Sequence, residues 1–149
     1  LSSNKINNFT EVVPSYDEPY IDVENKFAKT DIAFSPNVIG GSQLLYTPTK
    51  GLELGLLSKY VGKQYMDNTS NENRKLNAYF TNDLRILYTF KPSFCRELGL
   101  SLLGNNIFNT LYESNGYTYS YIYEGKTVTE NFYYPQAGFN FLLGVNIKF

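Results

Sequence analysis

The chain has 149 residues and a net charge of −1, with 14 tyrosines, 11 phenylalanines, no tryptophan and no histidine. Without histidine, the commonest general base, transition-metal ligand and partner of a nucleophilic serine are all missing, so an enzyme is disfavoured. The balance of 13 basic and 14 acidic residues offers no excess of charge for nucleic acid or an anionic surface. A single cysteine, Cys95, forms neither an internal disulfide nor a sulfur-based metal site.

Apolar residues recur at every second position along much of the chain, a pattern that predicts strands with one apolar and one polar face. The strand at the end of the chain is the clearest, because Phe141, Leu143 and Val145 alternate with polar residues or glycine except at Leu142. We therefore predict an all-β, antiparallel meander of about six strands. In chain order, strands are expected at about residues 4–13, 29–47, 52–60, 83–90, 98–102 and 139–149.

Short and long connections alternate between these predicted strands. Tight turns are expected at residues 46–52 and 90–98, which contain proline or glycine. The connections at residues 14–28, 62–76 and 110–135 are long and polar. Short turns on one side and long loops on the other are typical of transmembrane β-barrels of the outer membrane.

Aromatic residues collect near the ends of the predicted strands, and leucines occupy their middles. Such an arrangement resembles an apolar band between two aromatic girdles at the membrane interfaces. About eight strands are the fewest that close a barrel, so we expect a fragment of a larger one, with its other strands upstream and Phe149 at its carboxyl terminus. The aromatic residues concerned are Tyr46, Tyr60, Tyr88, Phe90, Phe108, Phe139 and Phe149.

Several segments resemble one family of outer-membrane proteins. The run Asn105, Asn106, Ile107, Phe108 and Asn109, followed by Tyr112, closely resembles the asparagine-rich segment near the end of TonB-dependent outer-membrane receptors. The strand at residues 139–149 is similar to their last barrel strand, and residues 58–65 and 84–90 also look like parts of these receptors. The whole chain, residues 1–149, is accordingly interpreted as the carboxyl-terminal segment of such a receptor barrel.

The resemblance implies a barrel of about 22 strands around an amino-terminal plug, in the outer membrane of a Gram-negative bacterium. It also implies import of a scarce nutrient, such as a ferric siderophore, cobalamin or a glycan, with energy from the TonB complex. Expected partners are outer-membrane lipid, the barrel-assembly machinery, TonB through the plug region that these residues lack, a small nutrient ligand and, for a glycan, a surface lipoprotein. No nucleic acid, cofactor, metal ion or catalytic residue is expected.

Three groups of residues are candidates for function. The terminal residues Phe141, Leu143, Val145, Ile147 and Phe149 resemble the signal that the barrel-assembly machinery recognises. Charged residues at the positions that alternate with the apolar ones are expected to face the lumen. They are Glu53, Lys59, Asp83, Arg85 and Lys148.

The loop at residues 110–135 supplies the third group, the alternating tyrosines Tyr117, Tyr119, Tyr121 and Tyr123. They are expected mainly to build an extracellular hairpin with its tip at residues 124–126, and direct contact with ligand is the alternative. In the loop at residues 62–76, the oxygen-bearing side chains of residues 67–72 match no calcium motif, so we expect a solvated loop.

Two other classes of protein remain open from the sequence. A non-transporting outer-membrane barrel, either an adhesin or a structural protein, would have the same strands and girdles. A soluble β-sandwich binding module would use the apolar face as a buried core. Only the sandwich would be soluble and monomeric when these residues are expressed alone.

The terminal strand leads to a first prediction. Deletion of Phe149 from the full-length protein should lower the amount of assembled protein in the outer membrane, because the assembly signal loses its terminal aromatic ring. A heat-modifiability gel of membrane fractions measures that amount. Unchanged levels would show that the ring serves only as an apolar surface.

Overall fold

A computed structural model describes the whole chain, Leu1–Phe149, and contains strands and turns but no helix. No helix of sufficient length and apolar character to cross a membrane is therefore present. The strands are β1 Lys5–Val13, β2 Val23–Asp31, β3 Ile39–Thr49, β4 Leu52–Val61, β5 Gln64–Tyr65, β6 Lys75–Leu76, β7 Tyr79–Phe90, β8 Glu97–Asn105, β9 Glu113–Tyr123, β10 Lys126–Pro135 and β11 Asn140–Lys148.

The strands belong to two compact units. The hairpin unit comprises Leu1–Val38, Gly62–Ala78 and Tyr112–Gln136, and it contains three two-stranded antiparallel sheets. The sheet unit comprises Ile39–Val61, Tyr79–Leu111 and Ala137–Phe149. It contains one five-stranded antiparallel sheet in the order β11-β8-β7-β4-β3.

The register of the five-stranded sheet places apolar side chains on one face. Directly opposed residues of neighbouring antiparallel strands share a face. One row across the sheet runs Leu54, Ile86, Leu102 and Leu143, as the ladders of β4 with β7, β7 with β8 and β8 with β11 require. The predicted alternation of apolar and polar faces is confirmed in these strands.

The two ends of the sheet differ in their connections. At one end, the short-turn end, β3 turns into β4 at Gly51 and β7 joins β8 through residues 91–96. At the opposite end, β4 and β8 lead into the long connections. Aromatic residues of the apolar face lie near both ends, with Tyr46, Tyr88 and Phe90 at the first and Tyr60 and Phe80 at the second.

The apolar face of the sheet is not covered by other parts of the chain. Leu143 is 74% exposed, Val145 67% and Leu44 66%. Only Val13, Val61, Met66 and Leu76 are buried apolar residues. The two outer strands, β3 and β11, each have one hydrogen-bonded neighbour, so the sheet is open.

The expected set of six strands in one meander is wrong in its first members. Residues 4–13 do form a strand, but it pairs with β2 in the hairpin unit and not with the large sheet. The segment at residues 29–47 is divided between the end of β2 and most of β3, with a break around Pro36. Residues 14–28 include the beginning of β2 and are not wholly a loop. Strands of the hairpin unit and strands of the large sheet both alternate with a period of two, so this pattern does not show which sheet a strand joins.

The hairpin unit packs around a small cluster of apolar side chains. Val13, Met66 and Leu76 are 2%, 5% and 1% exposed. Gly116 of β9 allows this close packing, because a Cβ atom there would lie 2.9 Å from Met66 Sδ and 2.6 Å from Phe132 O. At the tip of the β9–β10 hairpin, Glu124 and Gly125 both have positive φ angles, of 51° and 68°. Positive φ at both central residues is the mark of a type I′ turn, so the predicted hairpin and its tip are confirmed.

Candidate functional site

Six rings lie on one side of the β9–β10 hairpin, and we call this surface the aromatic face. The rings of Tyr117 and Phe132 stack with centroids 4.7 Å apart and an angle of 13°, and Tyr134 lies 6.2 Å from Tyr117. Tyr119 and Tyr121 are 5.6 Å apart. The sixth ring, Tyr16, comes from the β1–β2 connection. Most of these rings are exposed by 41% to 53%, and Tyr121 is half-buried.

The register of the hairpin explains why the rings gather. Tyr117 is directly opposite Phe132, and the odd positions of β9 all point to the same side. Tyr16 is held against this side because its backbone N–H donates to Ile122 O at 2.9 Å. Asp17 then accepts two hydrogen bonds, both of 2.8 Å, from the backbone N–H groups of Glu124 and Gly125 at the hairpin tip.

Two hydroxyl groups of the aromatic face are linked. Tyr16 Oη and Tyr119 Oη are 2.6 Å apart, and this hydrogen bond is the main cause that raises the pKa of Tyr119 above its usual value. The Tyr119 hydroxyl therefore stays protonated near neutral pH, and the linked pair offers hydrogen-bonding groups beside flat apolar rings. A ligand with rings or sugar-like faces can stack on such a surface.

The other side of the hairpin contacts a buried cation. The Arg74 side chain is only 7% exposed and forms ion pairs with Glu11 and, at 2.9 Å, with Asp67. It also donates to Thr129 Oγ1 at 3.4 Å. A recess of about 200 Å³, lined by the three charged residues and by β9, adjoins this cluster. The cluster therefore links β1, the connection at residues 62–78 and the β9–β10 hairpin.

The expectation of a solvated loop at residues 62–76 is wrong. The segment contains Met66, Thr69, Arg74 and Leu76, all of which are buried. Its polar side chains are used internally, since Asp67 Oδ1 accepts hydrogen bonds from the backbone N–H and the hydroxyl of Thr69 at 3.0 and 2.6 Å. Short side-chain to backbone bonds of this kind hold a polar segment in a compact turn.

One exposed carboxylate in this segment is strongly stabilised. Glu72 accepts hydrogen bonds from the ammonium groups of Lys63 and Lys75 and from the Tyr65 hydroxyl. The Lys63 ammonium is the main cause that lowers the pKa of Glu72 to about 2. Because its pKa is lowered in the folded state, the stabilising effect of Glu72 is complete above its ordinary pKa of 4.5 and is lost as pH falls towards 2.

The asparagine-rich run at residues 105–109 is a hydrogen-bonded turn after β8. Asn106 is 5% exposed, and its side-chain amide donates to Thr110 O at 2.9 Å and Ala137 O at 3.2 Å. Asn109 Oδ1 accepts from the backbone N–H of Phe139 at 2.9 Å. Asn106 and Asn109 have φ angles of 49° and 52°, which asparagine tolerates better than most residues. These contacts explain the asparagines as residues that fix the start of β11 against β8.

The five residues expected to face the lumen do share one face of the sheet, opposite the apolar face. Arg85 and Glu53 form an ion pair of 2.7 Å, and Lys148 pairs with Glu97. Asp83 accepts the backbone N–H of Asn106 at 2.8 Å. Lys59 lies on the same face in β4. Their placement on one face agrees with the predicted alternation of polar and apolar positions. Their exposure to a lumen stays a prediction.

The other predicted site residues have clear positions. Phe141, Leu143, Val145 and Ile147 lie on the apolar face of β11, and Phe149 follows its end. Tyr123 is on the same side of β9 as the other three tyrosines and is 52% exposed.

Sequence reasoning did not find Arg74, Tyr16 or Phe132 as members of these clusters. Arg74 and Tyr16 come from segments assigned to loops, and no local spacing joins them to β9. Phe132 could have been found, because a two-residue turn within the predicted tip of the hairpin places it opposite Tyr117.

No protein-family model and no curated protein matches this chain. No group of three or more histidine, cysteine, aspartate or glutamate side chains lies close enough together to hold a metal ion. The aromatic face, with stacked rings beside linked hydroxyl groups, has chemistry that suits a ligand.

The Arg74 cluster leads to a prediction about stability. Arg74→Ala should lower the free energy of unfolding by about 3 to 5 kcal/mol, because it leaves the carboxylates of Glu11 and Asp67 without their cation. Lys75→Ala is the matched control, since Lys75 pairs with the exposed Glu72 and should cost no more than about 1 kcal/mol. Denaturant unfolding of the full-length variants measures both. Equal effects of the two substitutions would contradict the role of Arg74.

Proposed function

We propose that the chain is the carboxyl-terminal part of the barrel of a TonB-dependent outer-membrane receptor, which imports a scarce nutrient and performs no covalent chemistry. In this proposal the five-stranded sheet contributes neighbouring strands of a transmembrane barrel. The hairpin unit belongs to the long extracellular connections. TonB would act through a plug region that is not among these residues.

The observation that carries the proposal is the exposed apolar face of the sheet. A row of leucine, isoleucine and valine side chains without protein contacts costs free energy in water, at roughly 25 cal/mol per Å² of apolar surface. The same row is favourable against lipid, and aromatic residues at both ends of the sheet suit the two membrane interfaces. The unpaired edges of β3 and β11 support the proposal that the sheet is part of a larger barrel. Strand edges in lipid require neighbouring strands, because their backbone groups have no other hydrogen-bond partners there.

The exposed face also weighs against a soluble sandwich. In a sandwich, a second sheet covers the apolar face at a distance of about 10 Å. Here Leu143 and Val145, in the outer strand β11, are among the most exposed apolar residues of the sheet. A non-transporting outer-membrane barrel shares this feature, and a plug domain in the full-length gene would distinguish a transporter from it.

The charge of the hairpin unit favours a ligand without negative charge. The unit holds 11 acidic and seven basic residues, and the aromatic face itself has Glu130 opposite Tyr119. Ferric catecholate complexes are anionic and would be repelled, whereas a glycan can stack on tyrosine rings and hydrogen-bond to their hydroxyls. Within the proposed function, a glycan is therefore the ligand class that this surface fits best.

Site-directed spin labels test the membrane part of the proposal. Leu56 and Leu57 are neighbours in β4 that point to the apolar and the polar face. In an otherwise cysteine-free full-length protein, in which Cys95 is replaced by serine, a label at Leu56→Cys should be accessible to oxygen and shielded from a water-soluble nickel chelate. A label at Leu57→Cys should not combine high oxygen accessibility with shielding from the nickel chelate, because it faces away from the bilayer.

The accessibility parameters come from power-saturation electron paramagnetic resonance of the reconstituted protein. A nickel-accessible label at position 56, or the same oxygen accessibility at both positions, would overturn the proposal. Since the two sites differ by one residue, depth in the membrane does not explain a difference between them.

The aromatic face has its own prediction. The double variant Tyr119→Ala with Tyr121→Ala should raise the nutrient concentration needed for half-maximal uptake by about two- to tenfold for each ring in contact with ligand. Tyr133→Ala is the control, because Tyr133 is 43% exposed in the same hairpin but lies on the other side. Uptake by cells under limiting nutrient is the measurement. Wild-type uptake by the double variant would remove the aromatic face as a ligand surface.

A further inference from the structure

The near-zero charge of the chain conceals a separation of charge between its two units. The sheet unit contains six basic and only three acidic residues, whereas the hairpin unit is acidic. The near-zero charge of the whole chain therefore does not describe the sheet unit taken by itself. Its surplus of positive charge raises the question of where the unpaired cations lie.

Three of these cations are at the short-turn end of the sheet. Lys50 is in the β3–β4 turn, and Lys91 and Arg96 are in the β7–β8 turn. All three are exposed and form no ion pair or side-chain hydrogen bond. The two carboxylates near this end are already paired, Glu53 with Arg85 and Glu97 with Lys148. Among the side chains, this end of the sheet is consequently left with positive charge and no unpaired carboxylate.

Lys50 and Lys91 border a recess of about 470 Å³. Its remaining lining includes Tyr88 and Phe90, whose rings stack with centroids 5.2 Å apart and an angle of 25°. Both rings belong to the apolar face of the sheet. The recess therefore places two lysine residues beside aromatic walls that continue into a large apolar surface.

The position of Lys50 is fixed by the backbone next to it. Gly51 has a φ of 85°, and a Cβ atom there would lie 2.1 Å from Thr89 O. The backbone N–H of Thr89 donates to Gly51 O at 2.8 Å. Only glycine allows this close approach, which holds the β3–β4 turn against the end of β7.

A ligand that matches this recess must have a negative group joined to an apolar part. A free phosphate would use the lysines but not the rings, and a neutral lipid would use the rings but not the lysines. An anionic phospholipid uses both, since its phosphate can lie between the ammonium groups while its acyl chains follow the apolar face. We propose that the short-turn end of the sheet is a binding site for an anionic phospholipid headgroup, with Lys50 and Lys91 on the phosphate and Tyr88 and Phe90 beside the glycerol and upper acyl chains.

This site rests on the proposed function, because it requires the apolar face to lie in a bilayer. The short-turn end would then be at the periplasmic interface, where outer-membrane barrels have their short turns. Aromatic rings and basic side chains both favour that depth, the rings for their amphipathic character and the lysines for their attraction to phosphate.

Photo-crosslinking tests the site in the full-length protein. The protein is reconstituted into phosphatidylcholine vesicles that contain phosphatidylglycerol with a diazirine on the upper acyl chain, and labelled peptides are mapped by mass spectrometry. Residues 88–91 should be labelled more strongly by this probe than by the corresponding phosphatidylcholine. Lys50→Gln with Lys91→Gln should reduce this labelling by about fivefold for each lysine.

A second double variant is the control for charge. Lys29 and Lys126 are exposed lysines of the hairpin unit without ion pairs, so Lys29→Gln with Lys126→Gln should leave labelling of residues 88–91 unchanged. Excess unlabelled phosphatidylglycerol should compete with the probe, and excess inorganic phosphate should not. Competition by phosphate, full labelling of the Lys50 and Lys91 variant, or equal labelling by both lipids would overturn the site.

The same experiment distinguishes the two proposals. Labelling of Leu143 and Val145 by either lipid reports contact of the apolar face with the bilayer. If these residues are labelled and residues 88–91 show no preference for the anionic lipid, the headgroup site fails and the membrane proposal stands. If neither region is labelled, the membrane proposal itself fails.

Discussion

The apolar face of the five-stranded sheet is the constraint on which the rest of the structure depends. Its register aligns leucine, isoleucine and valine in rows, and nothing else in the chain covers them. Hydrophobic burial is the dominant favourable contribution to folding, and the proposed contact with lipid would supply it to this face. The same argument applies to its edges, because the backbone groups of β3 and β11 that face outward need partners in any apolar medium.

The hairpin unit is stabilised in a different way. It has three buried apolar side chains, so polar contacts supply much of its order, above all the buried Arg74 with its two carboxylates. Buried ion pairs of this type are costly to form and more costly to break, which makes them good at specifying one arrangement of segments. Here the ion pairs and the hydrogen bond of Arg74 connect β1 and residues 62–78 to the β9–β10 hairpin, which presents its rings on the other side.

The two candidate binding surfaces, the aromatic face and the recess at the short-turn end, therefore form in different ways. The aromatic face gathers rings through strand register, and Tyr16 is added through backbone bonds from a distant segment. The recess at the short-turn end combines unpaired lysines with rings that already belong to the apolar face. On both surfaces the tyrosine and phenylalanine rings are exposed or half-buried, so their abundance does not reflect a buried core.

The sequence by itself determined the strands of the large sheet, their antiparallel arrangement, the two faces and the tip of the last hairpin, because a period of two and turn residues are local signals. It did not determine which strands share a sheet. Residues 4–13 have the same alternation as the large sheet but pair elsewhere, since partner choice depends on contacts between distant segments. Only the tertiary structure decided that Arg74 is buried with Glu11 and that Tyr16 joins the aromatic face. It alone also decided that Lys50 and Lys91 lie together without a counter-ion, because proximity across the chain leaves no trace in local spacing.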